Sequence, residues 1–422
     1  MFKVFADAWK IPDLRKKMLY TLLLIVIFRL GSSIPVPFVS AEALKSLVEG
    51  GDNLFSMYNI ISGGAFENAT IFAMSITPYI NSSIIMQLLA VAIPALERKA
   101  KEEDGRKFLA QWTRYLTVVL AMLQATGLYF GLSGAITNRG VFTYFVVSLT
   151  FTAGTAFLMW LGEQINEKGI GNGISLLIFA GIVSRGPAVI NSFIEMNKAG
   201  QLNIFTTILV VLIVVLVVAA VVLMNDSERR IPVLYSKRVV GRKMYGGQST
   251  HIPIKVAMAG VMPIIFAISI ISFPATICQF FGITAQSGGF WGGFLRVMSQ
   301  TSPVYAIIYF LLIIFFTFFY TEMQYNPIEM ANNMKQNGGG IPGIRPGRTT
   351  AEFIKGIINK ITFVGAIFLA LIAVLPMLLT AIFGANVAFG GTSILIVVGV
   401  ALETVKQLET QMVMRHYKGF LD

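Results

Sequence analysis

The sequence predicts an all-α polytopic membrane protein, with ten transmembrane helices arranged as two inverted halves of five. Three observations carry that reading. Hydrophobic residues make up 55% of the 422-residue chain and charged residues only 13%, whereas soluble domains carry about 25% charged residues. The apolar residues gather into ten stretches, each near the roughly 20 residues that a bilayer-spanning helix needs. Basic residues alternate sharply between the segments that join those stretches, as they do when loops lie by turns inside and outside a membrane. The mean hydropathy of +0.72 agrees.

The stretch Met1 to Lys17 is amphipathic: Phe2, Val4, Phe5, Trp9 and Ile11 alternate with Lys3, Asp7 and Lys10. It lacks the apolar core and small-residue cleavage site of a signal peptide, and predicts an interfacial helix ahead of the first span. The expected spans are residues 18–38, 69–93, 112–133, 142–162, 174–194, 204–224, 256–280, 304–321, 361–383 and 391–412. A further apolar run, Leu54 to Ile61, is too short to cross a bilayer. It ends at Gly63-Gly64 and fits a re-entrant or interfacial segment.

The net charge is +12 and the pI about 9.7. Counting residues at span ends with the adjacent side, 27 of the 33 basic residues fall on one face, five on the other, and Arg29 within the first span. The richer face comprises the N-terminus, the segments after spans 2, 4, 6 and 8, and the C-tail. The positive-inside rule makes that face cytoplasmic and puts both termini there.

Ten spans divide into halves of five, residues 1–197 and 198–422. An odd number per half makes the second half enter the membrane in the opposite sense, which is an inverted repeat. The second span of each half carries a proline expected in mid-helix, Pro78 and Pro263. Two readings are open for them: ordinary membrane-helix kinks, or matched interruptions along a pathway between the halves. Two cytoplasmic loops are large. Residues 225–255 hold two runs of strand composition, Ile231 to Val240 and Thr250 to Lys255, around a basic turn at Gly241 to Gly247, and predict a β-hairpin. Residues 324–360 carry a proline- and glycine-rich loop presenting Arg345.

The chain has no phosphate-binding GxxxxGK[ST] loop and no HExxH. Gly338, Gly340 and Gly343 match GxGxxG, but no strand–turn–helix context surrounds them. One cysteine, Cys278, and two histidines, His251 and His416, offer neither an internal disulfide nor a cysteine- or histidine-rich metal site. The carboxylates Glu163, Glu322 and Glu403 fall at or near span ends, whereas ion-coupled transporters place acids at mid-membrane. An inverted-repeat solute transporter and an integral-membrane enzyme are therefore the weaker alternatives. Arg29 is the one clear intramembrane charge, either paired or snorkelling to the outer interface.

Seven strings, in order, resemble the SecY family, the channel subunit of the Sec protein translocon, in its bacterial form. They are Gly31-Ser-Ser-Ile-Pro-Val-Pro37, Ile76-Thr-Pro-Tyr-Ile80, Gly162-Glu-Gln-Ile-Asn-Glu-Lys-Gly-Ile-Gly-Asn-Gly-Ile-Ser175, Ile178-Phe-Ala-Gly-Ile182, Gln248-Ser-Thr-His-Ile-Pro-Ile-Lys255, Pro342-Gly-Ile-Arg-Pro-Gly347 and Gly390-Gly-Thr-Ser-Ile-Leu-Ile396. The resemblance runs over essentially the whole chain.

The resemblance implies an hourglass pore between two five-helix halves in the cell membrane. Unfolded secretory polypeptides cross it, and apolar segments leave sideways into lipid. It assigns a pore ring to Ile76, Ile80, Ile178, Ile182, Ile265 and Ile396. A plug is implied over residues 54–64, with Leu54, Phe55, Met57, Tyr58, Ile60 and Ile61 as its apolar side chains. A lateral gate is implied between spans 2–3 and 7–8, beside Pro78 and Pro263. Arg242, Lys243 and Arg345 become docking residues for the SecA motor ATPase and the translating ribosome. SecE and SecG are the small membrane subunits implied as partners, signal peptides and nascent chains the cargo, and no cofactor or metal is implied. The residues themselves add that Ile76/Ile80 and Ile178/Ile182 are i,i+4 pairs, each stacking on one helix face. Isoleucine is a side chain suited to a seal that excludes ions by dewetting.

Overall fold

The computed structural model describes residues 2–49, 59, 62–102, 104–198, 204–235, 238–240, 243–245, 249–280, 289–299, 302–383 and 391–418. Each of the ten apolar stretches contains a helix. In the first half these are α2 (Pro12–Gly31), α4 (Thr77–Ala92), α6 (Gly105–Gly131), α7 (Val141–Lys168) and α8 (Gly173–Lys198). In the second they are α9 (Ile204–Asp226), α10 (Met262–Phe280), α12 (Pro303–Gln324), α14 (Arg348–Phe383) and α15 (Gly391–Lys418). Shorter helices are α1 (Phe2–Lys10), α3 (Ala41–Glu49), α5 (Pro94–Lys101), α11 (Phe290–Val297) and α13 (Pro327–Gln336). Among the described residues five helices are long and apolar enough to cross a membrane, and six if α4 and α5 form one broken span.

The second apolar stretch departs from expectation. Residues 69–76 are not helical; they form turns, and the helix starts at Thr77. Ala69 and Ser75 take φ of 51° and 53°, which breaks a right-handed helix. The chain is stitched instead to the end of the first stretch: Val36 N–H donates to Ala69 O at 2.7 Å and Ile71 N–H to Ile34 O at 3.0 Å. The helix of the first stretch, α2, correspondingly ends at Gly31.

Pro78 and Pro263 are therefore not mid-helix kinks. Each is the second residue of its helix, α4 or α10. A first-turn proline gives up an N–H that has no intrahelical acceptor anyway, so it starts a helix without bending it. The bend lies at the other end of α4. Ile93 is pushed extended (φ −107°, ψ 109°) by Pro94, and α5 leaves at 107° to α4.

The junction between α7 and α8 shows why its glycines are there. A Cβ on Gly173 would lie 2.0 Å from the Gly162 carbonyl oxygen, so the two helices approach at bare backbone. Asn166 Oδ1 accepts from Gly173 N–H at 2.7 Å, and Asn172 Oδ1 caps Ile174 and Ser175 at 3.2 and 3.4 Å.

The two large loops, residues 225–255 and 324–360, form one module. Strand β1 (Glu228–Tyr235) pairs antiparallel with β4 (Ser249–Lys255), setting Ile231 opposite Ile252 and Val233 opposite Thr250. Alternation along β1 buries Ile231 and Val233 and exposes Arg230, Pro232 and Leu234. A second, shorter hairpin joins β2 (Arg238–Val240) to β3 (Lys243–Tyr245), so the expected basic turn is partly strand. The other loop is not a simple exposed connection. It contains α13, the first turns of α14, and β5 (Gly339–Gly340), which adds to the free edge of β1. Met334, Ile341, Ile354 and Ile358 then complete one apolar core with Ile231, Val233 and Ile254. The GxGxxG match is thus a turn and a strand edge.

Candidate functional site

Four segments from the two halves converge on one buried apolar cluster. From α4 and its cap come Ile76 and Ile80, from α8 Ile178, from α10 Ile265 and from α15 Ile396; none is more than 7% exposed. Ile182 is half-buried and packs against the same cluster. Ile80 N–H donates to Ile76 O at 3.1 Å, so the i,i+4 stacking holds although Ile76 lies just outside α4.

A cavity lies at each end of this cluster. One, about 500 Å³, is lined by Asn172 just before α8, Ser175 of α8, Lys255, Met262 of α10, Tyr320, Tyr325, Gly399, Glu403 and Lys406. The other, about 470 Å³, is lined by Arg29, Ser32, Gly63, Gly64, Glu67, Ser184 and Arg185. Along α8 the order is Ser175 in the first cavity, Ile178 and Ile182 in the cluster, then Ser184 and Arg185 in the second. At 1.5 Å per residue that spans about 15 Å. Two vestibules are thus separated by a short apolar neck. Burial pushes the Tyr325 phenol above its ordinary pKa, so it stays a neutral hydroxyl at the rim of the first cavity.

The seam expected at spans 2–3 and 7–8 is closed: α10 packs against both α4 and α6, and α12 packs against α10 and α14. Pro78 and Pro263 sit at the starts of the two helices that meet there. A roomier cavity of about 780 Å³ opens beside the C-terminal ends of α4 and α12 and the N-terminal end of α6, lined by Gln87, Val91, Leu109, Phe319, Met323 and Ile358 among others.

Leu54, Phe55, Met57, Tyr58, Ile60 and Ile61 lie outside the described residues, as does Arg242. Asn59, within the short apolar run, and residues 62–66 just after it are buried, the latter knit into turns with Gly63 and Gly64 at φ of 66° and 86°. Lys243 opens β3, opposite Val240. Arg345 is exposed, between turns at Gly343 (φ 78°) and Gly347 (φ 108°) and anchored through its carbonyl, which accepts from Thr350 Oγ1 at 2.8 Å.

The charges at span ends have partners that sequence reading missed. Arg114 Nε lies 2.7 Å from Glu163 across α6 and α7, and Lys406 Nζ 2.8 Å from Asp226 across α15 and α9. Opposite charges at the same membrane depth on neighbouring spans were a legible signal for the first. Arg29, in the last turn of α2, is exposed and lines the second cavity, as a snorkelling side chain can.

Comparison with known proteins agrees with this arrangement. The SecY family model matches residues 70–405. The protein translocase subunit SecY of Streptomyces scabiei is 47% identical over 442 residues, covering 100% of both chains. Among solved structures, one described as the plug domain of the SecY protein stabilising the closed state of the translocation channel superposes with a TM-score of 0.69 at 21% identity, covering 94% of this chain and 92% of that one. Sec61 in the canine ribosome–channel complex superposes at 0.65 and 20% identity, covering 94% and 93%. With a family model over most of its length and a full-length relative at nearly half identity, the chain belongs to the SecY family.

Proposed function

We propose that this chain is a protein-conducting channel in which the isoleucine cluster is the closed constriction. The carrying observation is the order along α8: polar cavity, apolar neck, polar cavity. An unfolded polypeptide needs a wet path on either side and a contact that neither hydrogen-bonds nor charges it in between. Isoleucine gives that contact, and in its absence collapses into a dewetted seal. Residues 1–197 and 198–422 act as the two halves. The α4/α6–α10/α12 seam is where they part to release apolar segments into lipid, and residues 54–64 form the plug.

Partner assignments rest on the same reading. The likeness to a ribosome-bound channel supports ribosome docking through Arg242 and Lys243 at the hairpin tip, where basic side chains meet RNA phosphate. Arg345, held out between two fixed turns, suits a multidentate contact with the SecA motor. SecE and SecG cover the lipid-facing perimeter. The protein resides in the cell membrane with both termini in the cytoplasm. The test is reconstitution into vesicles with SecA and ATP. Motor-dependent import of a secretory precursor is expected. Failure to import alongside uptake of a small solute would overturn the reading in favour of a transporter.

A further inference from the structure

We infer that α11 (Phe290–Val297) is a docking surface for the bilayer itself. It is an interfacial anchor whose Phe290, Trp291 and Phe294 insert into the lipid leaflet at the shared end of α10 and α12. The inference goes beyond the channel reading and does not depend on what passes through the neck.

The helix reads Phe-Trp-Gly-Gly-Phe-Leu-Arg-Val. At about 100° per residue, Phe290, Trp291, Phe294, Leu295 and Val297 share one arc of about 160°. A helix on a water-facing surface turns such an arc inward, and α11 does the reverse. Gly292, on the far side from the arc, is buried, whereas Phe290 is 79% and Trp291 51% exposed. The similarly short α3 supplies the contrast: it buries Leu44 and exposes Glu42 and Lys45. The outward rings support one another, with Trp291 edge-on to Phe290 and Phe294 at centroid distances of 5.7 and 6.0 Å. Arg296, the one charged residue of the helix, lies opposite the arc and is exposed. One face apolar and aromatic, the other basic, is the pattern of a helix lying along a membrane surface.

The place of the helix identifies its solvent. α10 starts seven residues after β4 and α12 ends three residues before α13, so those ends lie at the module of the two large loops. α10 has 19 residues and packs against α12, so at 1.5 Å per residue its far end is about 28 Å away. From α11 the chain enters α12 through two turns, Ser299 N–H donating to Arg296 O at 3.3 Å and Ser302 N–H to Ser299 O at 2.9 Å. α12 is long and apolar enough to span, and Val304, Ile307, Leu311 and Phe315 are exposed along it at helical spacing. That stripe is the lipid-facing surface of a spanning helix, and the aromatic arc of α11 continues it at the boundary. Eight residues, about 12 Å, are too few to cross. Aromatic rings are favoured at that depth, and a basic side chain opposite them reaches headgroups or water. Seated there, α11 fixes the depth of the end that α10 and α12 share.

Trp291 reports its own surroundings. Trp9→Phe, Trp112→Phe and Trp160→Phe together leave it alone among the four tryptophans of the chain. The full-length variant is reconstituted into vesicles of phosphatidylcholine and phosphatidylglycerol. Its emission should be quenched strongly by lipid brominated high on the acyl chains, less by lipid brominated near the chain ends, and little by iodide in the water. Adding Phe290→Asp should weaken the lipid quenching and strengthen that by iodide. If the triple variant fails to express, the difference in quenching between parent and Trp291→Phe supplies the same signal, and Phe290→Ser can replace Phe290→Asp. Strong iodide quenching with none from brominated lipid would put the face in water and overturn the anchor. Protection from both quenchers would mean that protein covers it, a second copy in these vesicles, and would overturn the anchor equally. Stronger quenching from the chain ends than from the upper positions would bury the ring in the bilayer core and refute interfacial seating.

Discussion

Isoleucine does opposite work in two regions of this molecule. In the module formed by the two large loops, Ile231 and Ile254 project from strands whose register is set bond by bond, and Ile354 and Ile358 close over them from α14. Those side chains are pinned because their backbones are tied to each other. In the neck, the six isoleucines come from four segments that satisfy their backbones internally, as helices do, and meet only through side chains. Dispersion between side chains is strong in sum but non-directional. The first arrangement specifies one structure, whereas the second, as the proposed constriction, would hold shut yet part without breaking a ladder of hydrogen bonds. A channel that must be tight and must open needs both, in different places.

The hardest test of that contrast is to make the neck behave like the module. Cysteines replacing Ile80 and Ile265, oxidised across the α4–α10 seam, should stop precursor export, with recovery on reduction. Export by fully crosslinked channels would mean that the halves do not part there. The converse is to remove the side chains that meet. Ile76→Gly, Ile80→Gly and Ile182→Gly together should raise resting conductance severalfold while the protein still inserts. Unchanged conductance would show that the seal lies elsewhere.

A smaller effect is expected in the module. Ile231→Ala, at a side chain 3% exposed, should destabilise it by about 2–5 kcal/mol. Limited proteolysis near residues 228–255 should report the loss while resting conductance stays at the parental level. A leak in that variant would mean that the two regions are mechanically coupled. The smallest effects belong to the exposed tips. Arg345→Glu should lower precursor-stimulated ATP hydrolysis by the motor a few-fold. Arg242→Glu with Lys243→Glu should weaken ribosome binding, more at low salt than high. Neither should alter insertion or conductance. If both activities equal the parent at physiological salt, these charges serve topology only.

Much of the architecture was legible in the sequence because its cause is local. The ten apolar stretches, the alternation of basic loops and the strand composition of Ile231 to Val240 each arise from nearest-neighbour chemistry in lipid or water. Composition and periodicity could not single out six isoleucines among so many; the resemblance to a family did that. The misreadings are equally informative. Pro78 and Pro263 resemble kinks because each stands inside a long apolar run, and hydropathy does not mark where a helix starts within such a run. Residues 69–76 are apolar enough to span, yet they fold as turns because Ile34 and Val36, more than thirty positions earlier, take their hydrogen bonds.

What the sequence determined by itself is therefore the solvent of each segment: which parts are apolar enough for lipid and which belong in water. Partitioning depends on the composition of a stretch and needs no knowledge of its neighbours. Only the tertiary structure decided which surfaces meet. The addition of Gly339–Gly340 to the edge of β1, the seating of Gly63 on Gly181, and the Glu67–Arg185 ion pair each join residues far apart in sequence. Hydrogen bonds and ion pairs act over a few ångströms and only in one geometry, so no pattern along the chain encodes them until the helices have brought the partners together.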